Sequence, residues 1–246
     1  MASVHQEPWR RRAAAIVVAI AAFLIPTVAV AQSSPASRPG PYVIDIRAPM
    51  SGLPAITAFH PVLPANTLVP KRGFGLGLGG HVYVASLGVA RVGVGVDVLR
   101  VRGTTATPAP VATTTGATTG ATSSTTPGSA LSPAGRIDVA STLTAVTPQV
   151  SFNFGTRDGW SYLSAGYGAA ALRTTASGTP VGPLSGTVTL VRDNGRAAAI
   201  NYGGGARWFV RGRMAAGFDL RFHRLAAVGT RPSARLTVIS VGVSVR

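Results

Sequence analysis

The sequence predicts an all-β fold: an eight-stranded antiparallel up-and-down transmembrane β-barrel behind an N-terminal signal peptide. Three observations carry that expectation. Apolar and polar residues alternate through eight segments, which sends successive side chains to opposite faces. The connections between these segments are long and short in turn. Finally, the chain is 46% hydrophobic and only 12% charged, yet past residue 31 it has no run of 18 apolar residues that could form a membrane helix.

The leader comes first. Arg10, Arg11 and Arg12 form a positive cluster, and an apolar stretch from Ala13 to Ala31 follows, interrupted by Pro26. It ends Ala29-Val30-Ala31 before Gln32, a small-x-small cleavage site. Residues 1–31 are therefore expected to be a signal peptide cleaved before Gln32; the alternative is an uncleaved membrane anchor. Residues 32–40 read as a linker and 41–246 as the barrel domain.

The alternating segments lie near 41–50, 73–86, 90–103, 136–154, 159–175, 196–210, 213–227 and 235–246. In the second, Phe74, Leu76 and Leu78 alternate with Gly75, Gly77 and Gly79. In the third, Val92, Val94, Val96 and Val98 oppose Arg91, Gly93, Gly95 and Asp97. In the sixth, Ile200, Tyr202 and Trp208 oppose Asn201, Gly203, Gly205 and Arg207. In the seventh, Phe218, Leu220 and Phe222 oppose Asp219, Arg221 and His223, and in the last Ile239, Val241, Val243 and Val245 oppose Ser240, Gly242 and Ser244. The second face is thus Gly, Ser, Asn, Asp and Arg. Small and mutually paired groups suit a narrow polar lumen, and the large aliphatic groups suit lipid.

The short connections fall at Leu87-Gly88-Val89, Thr156–Gly159 and Arg211-Gly212, and the long ones at 51–72, 104–135, 176–195 and around Gly229-Thr230. Every long loop then lies at one end, the external end of a membrane barrel. Loop 104–135 is low in complexity and uncharged, and is expected to be disordered. Loop 51–72 carries Leu53, Ile56, Phe59, Val62 and Leu63, enough apolar surface to fold over a barrel end or to meet a partner. Tyr42, Trp160, Tyr162, Trp208 and Phe209 fall near strand ends, where interfacial aromatic girdles would place them.

The formal charge is +16, and Lys71 is the only Lys. Scattered Arg in an exported chain points away from nucleic acid and toward an anionic membrane surface or glycolipid. With no Cys, a disulfide framework, a thiol nucleophile and a thiolate metal site are excluded. His5, His60, His81 and His223 are not at metal-ligand spacing, so no metal is expected. Gly75–Gly80 lacks the Lys-Ser/Thr of a phosphate loop and reads as strand, so no cofactor is expected. His223 with Asp219 and Ser164 or Ser240 could imitate a catalytic triad, but no GxSxG elbow is present. The alternative is that Asp45, Arg47, Asp97, Arg207, Asp219, Arg221 and His223 form an interior polar network with an excess of Arg.

Leader, alternating strands and turn rhythm together resemble the small OmpA/OmpX-type outer-membrane barrels over residues 41–246. Members of that class typically end in an aromatic residue, where this chain ends Ser244-Val245-Arg246. The resemblance implies a monomer in the cell outer membrane, inserted by the outer-membrane assembly machinery among outer-membrane lipid. The expected function is that of a non-enzymatic barrel with a structural or surface-interaction role. A narrow anion-permeable pore, porin-like in kind, is the first alternative. A soluble secreted or periplasmic ligand-binding barrel or sandwich is the second.

Overall fold

A computed structural model describes residues 40–64, 66–108, 136–156, 158–178 and 187–246. The expected leader with its cleavage residues Ala29, Ala31 and Gln32, the linker up to Pro39, and 109–135 of the low-complexity loop lie outside the described residues. The strands are β1 (Tyr42–Gly52), β2 (Arg72–Leu87), β3 (Ala90–Thr107), β4 (Ile137–Gly155), β5 (Gly159–Gly178), β6 (Val188–Arg211), β7 (Met214–Leu225) and β8 (Ala234–Val245). They close into one barrel in sequence order, each strand antiparallel to the next. β1 seals the ring against β8, with Ile44 opposite Val245 and Met50 opposite Ile239. A 3-10 turn, Thr57–Phe59, sits in the segment between β1 and β2.

Two strands run four or more residues further than the periodicity predicts. β3 continues through Thr104, Thr105 and Thr107, which pair with Ala140, Val139 and Ile137 of β4. β6 starts at Val188 and pairs with β5 from Gly178 onward. β-branched Thr and Val favour strand wherever a neighbouring strand supplies the ladder. The low complexity of 104–107 and the loop-like composition of 188–195 concealed this. Pro148 causes no slip: Val146 faces Ala169 and Gln149 faces Gly166, so the register runs straight across it.

Through most of their length the strands carry apolar side chains outward and polar ones inward. On β7, Phe218, Leu220 and Phe222 are 48%, 38% and 39% exposed, against 1%, 2% and 2% for Asp219, Arg221 and His223. Phe74, Leu76, Leu78, Val94, Val96, Ile200, Tyr202, Ile239, Val241 and Val243 are likewise exposed, whereas Val92 is covered. So broad an apolar exterior around buried charges is the reverse of a water-soluble protein.

Toward the long-loop end β3, β4, β6, β7 and β8 invert this polarity without changing their pleat. On β3, Asp97 points in beside outward Val96; one step on, Leu99 and Val101 point in and Arg100 and Arg102 point out. β4 turns over at Ala145 and Val146, β6 at Ala199 and Ile200, β7 at His223 and Arg224, β8 at Val238 and Ile239. Above that level the barrel has an ordinary apolar core of Leu99, Val101, Leu143, Leu172, Leu225 and Leu236, joined by Leu53 and Phe59. Phe59 is fully buried, so the 53–71 segment folds back into the mouth; Ile56, Val62 and Leu68 of the same segment stay exposed. The inversion marks where lipid ends and water begins. The chain is an eight-stranded barrel with a lipid-facing band and a water-facing crown.

Glycine permits the tight ring. A Cβ on Gly95 would stand 1.9 Å from the carbonyl oxygen of Gly80, and one on Gly203 would stand 2.1 Å from that of Leu220. Any larger residue at either position must push neighbouring strands apart.

Candidate functional site

The inward residues of the lipid-spanning half form one polar layer. β1 contributes Asp45 and Arg47, β2 His81, β3 Asp97, β4 Gln149, β5 Tyr162, β6 Arg207, β7 Asp219, Arg221 and His223, and β8 Ser240 and Ser244; all are buried. Period-2 strands bring them together because every second residue reaches the same narrow interior.

Three carboxylates meet three guanidiniums there. Arg207 grips Asp45 in a bidentate fork, Nε to Oδ1 at 2.9 Å and Nη2 to Oδ2 at 2.6 Å, and Ser244 Oγ donates to the same Asp45 Oδ1 at 2.5 Å. The Arg207 guanidinium also lies 3.9 Å above the centre of the Tyr162 ring. The Tyr162 hydroxyl donates to Asp219 Oδ2, and Arg221 Nε donates to Asp219 Oδ1 at 2.8 Å. Arg221 Nη1 reaches Gln149 Oε1 at 2.7 Å. Arg47 donates through Nη2 to Asp97 and holds Nη1 3.4 Å from Asp219. Charges this deep persist only when paired and hydrogen-bonded. The planar fork of Arg meets that need better than Lys would.

Of the sequence-predicted set, Asp45, Arg47, Asp97, Arg207, Asp219 and Arg221 are therefore joined by contacts. His223 sits in the same layer but makes no hydrogen bond to the described residues, so it engages neither Asp219 nor Ser164 nor Ser240. The expected excess of Arg within the network is absent, since the ion pairs balance one for one. Tyr162, Gln149, His81 and Ser244 were missed as members, although each lies on the inward phase of its strand.

The layer is closed on both sides. Toward the short turns lie Val43, Tyr83 and Trp160, with Phe209 stacked on Trp160 at 4.6 Å between ring centres. Trp160 and Tyr162 are thus 2% and 3% exposed inside the barrel and belong to no interfacial girdle, whereas Tyr42 and Trp208 do face outward. Arg246 covers this end, 3.9 Å over the Phe209 ring and bonded through Nη2 to the Gly212 carbonyl at 2.8 Å. Toward the loops lies the apolar core already described. Beneath it, Asp45, Arg47, Tyr162, Arg207 and Asp219 line a cavity of about 10 Å³, about the room one water needs. The lumen is therefore stratified, apolar then polar then aromatic, where composition had predicted a polar interior throughout.

A second feature lies outside. Just beyond the polarity inversion, outward positions on β2, β3, β5, β6, β7 and β8 carry Arg72, Arg100, Arg102, Arg173, Arg196, Arg224 and Arg235, all exposed. Sequence reading saw these as scattered charge. The signal that could have found them is the pair of adjacent residues of like polarity that an inversion leaves: apolar at Val98-Leu99, Ala145-Val146, Ala199-Ile200 and Val238-Ile239, polar at His223-Arg224.

No protein-family model matches the chain, and no curated protein matches it in sequence. Solved structures are similar to it at low identity. Ail, the attachment invasion locus protein of Yersinia pestis, is 12% identical with a TM-score of 0.41, covering 83% of this chain and 95% of that one. Neisserial surface protein A is 13% identical with a TM-score of 0.40, covering 84% and 97%. The outer membrane protease OmpT of Escherichia coli is 7% identical with a TM-score of 0.44, covering 85% and 97%. The fold assignment itself rests on the closed strand order and the polarity of its faces.

Proposed function

We propose that this chain is a non-enzymatic barrel of the bacterial outer membrane, with a structural or surface-interaction role carried by its external crown. The observation that supports this most directly is the polarity inversion. Only a bilayer rewards outward Phe, Leu and Val over roughly 9–11 residues of each strand. Only water rewards the outward Arg that follows. The long loops share the water-facing end, so the reading puts them outside the cell.

Stacked layers fill the lumen, and its ion pairs cancel. Both features favour a rigid stave over the anion-permeable pore. Each lumen carboxylate is engaged by a guanidinium, which favours a structural over a catalytic role for them. The same reading includes removal of residues 1–31 before Gln32, delivery to the outer-membrane assembly machinery and a monomeric state, since a closed barrel leaves no strand edge to pair. No nucleic acid or cofactor enters it.

Cell fractionation with gel migration before and after boiling tests the proposal. The expected result is a heat-modifiable band in the outer-membrane fraction, with an N-terminus at Gln32, and no stepwise conductance across planar bilayers. Recovery of the folded chain from the soluble periplasm would overturn the membrane reading, and steady single-channel currents would restore the pore.

A further inference from the structure

The arginines above the lipid-facing band occupy one level of the barrel wall. Arg100 and Arg102 on β3 stand opposite Thr144 and Thr142 on β4, and Thr142 stands opposite Arg173 on β5. Arg196 on β6 faces Ala171 of β5, one outward step from Arg173. Arg224 on β7 faces Arg235 on β8 directly. Arg72 follows Phe74 on the outward phase of β2. Among the described residues none of these seven is in an ion pair. The acids of the outer wall do not answer them: Asp193, opposite Arg173, accepts the Gly195 N–H at 2.8 Å, and Asp138 pairs with Arg136.

Like charges placed directly across a strand pair repel. The chain nevertheless puts two arginines opposite each other, and does so just beyond the apolar outer band on its long-loop side. Arg is the side chain whose fork fits phosphate bidentately. In the polar layer of the lumen Arg47, Arg207 and Arg221 are each matched to a carboxylate, so unmatched Arg on the wall points to an anion supplied from outside. We propose that this belt binds the phosphates of anionic lipid in the leaflet on the long-loop side, the phosphate bridging neighbouring strands at Arg224 and Arg235 and across Arg102, Thr142 and Arg173. The proposal rests on the outer-membrane reading above and adds to it the partner of the outer wall. In this arrangement the acyl chains lie against Phe218, Phe222 and Ile239, and the headgroup lies at the arginines.

The test uses the folded full-length mature protein in neutral detergent micelles, with lipid binding counted by native mass spectrometry. The probes are a bis-phosphorylated glucosamine glycolipid, the same glycolipid stripped of phosphate, and inorganic phosphate. The wild type is expected to retain the phosphorylated lipid and to lose the stripped one. Each belt arginine contributes about five-fold, so Arg224→Gln with Arg235→Gln should weaken binding about twenty-five-fold. Arg213→Gln, exposed at the short-turn end, should leave it unchanged. Heat-modifiable migration verifies that each variant is folded. Equal retention of both lipids overturns the proposal. So does displacement by inorganic phosphate at matched concentration, which would make the belt a site for free anion. So does an Arg213→Gln effect as large as that of the belt pair. In each of those outcomes the folded, detergent-embedded barrel survives, so failure of the belt and failure of the membrane reading are distinguishable.

Discussion

Replacing Asp219 with Ala removes the carboxylate on which Arg221, Tyr162 and Arg47 converge. Arg221 would keep only Gln149 as a partner, and the layer would hold an unmatched positive charge with one water-sized cavity to hydrate it. Breaking a buried ion pair by deleting one member costs about 3–5 kcal/mol. Its neighbour Leu220 points the other way and is 38% exposed. In lipid, Leu220→Ala leaves no void, because acyl chains refill the space; the expected loss is about 1 kcal/mol or less. In a packed core the same truncation would cost about 2–5 kcal/mol. Urea unfolding in phosphatidylcholine vesicles, read by the fluorescence of Trp160 inside and Trp208 outside, gives both values. Asp219→Asn keeps the volume and an acceptor for Tyr162 while losing the charge, so it should fall between wild type and Asp219→Ala. If Leu220→Ala is the more damaging variant, or if Asp219→Ala lies within about 1 kcal/mol of wild type, the inside-out assignment of β7 is wrong.

Further expectations concern the wall, the crown and the mouth. Gly95→Ala sets a Cβ against the Gly80 carbonyl at 1.9 Å, so β2 and β3 must separate; the barrel should lose about 1–3 kcal/mol in the same unfolding assay. A peptide tag inserted at Gly120 should label on intact cells, and labelling only after the outer membrane is opened would reverse the topology. Phe59→Ala empties a fully buried site in the crown core; it should cost about 3–5 kcal/mol and expose the 53–71 segment to added protease. His60, buried beside the Pro54 carbonyl at 3.1 Å, is held below the usual 6.5 by burial. The open segment therefore takes up a proton before the docked one. Docking should be complete above about 6.5 and should weaken as pH falls below it, seen as faster proteolysis of 53–71 in acid that His60→Gln abolishes.

Local pattern alone determined the number of strands, most of their extent, their two alternating faces and the end at which the long loops gather. Alternation over Val92–Val98 or Phe218–His223 is a property of the backbone, because successive side chains must leave opposite faces. The sequence also named the six charged residues that pair, since Asp45, Arg47, Asp97, Arg207, Asp219 and Arg221 are the Asp and Arg on the inward phase of their strands. Alternation does not say which face meets which medium. Leu99 and Val101 share the parity of Asp97, and Arg100 and Arg102 share that of Val96, so one unbroken period runs from lipid into water while its meaning reverses. Ring closure decided that. Only when the strands are set side by side do the inversions of β3, β4, β6, β7 and β8 form one level, with an apolar crown core and an arginine belt on either side of the same wall. Partner choice inside the lumen was likewise tertiary: Arg207 finds Asp45 across 162 residues of sequence because β1 and β6 face each other through the barrel.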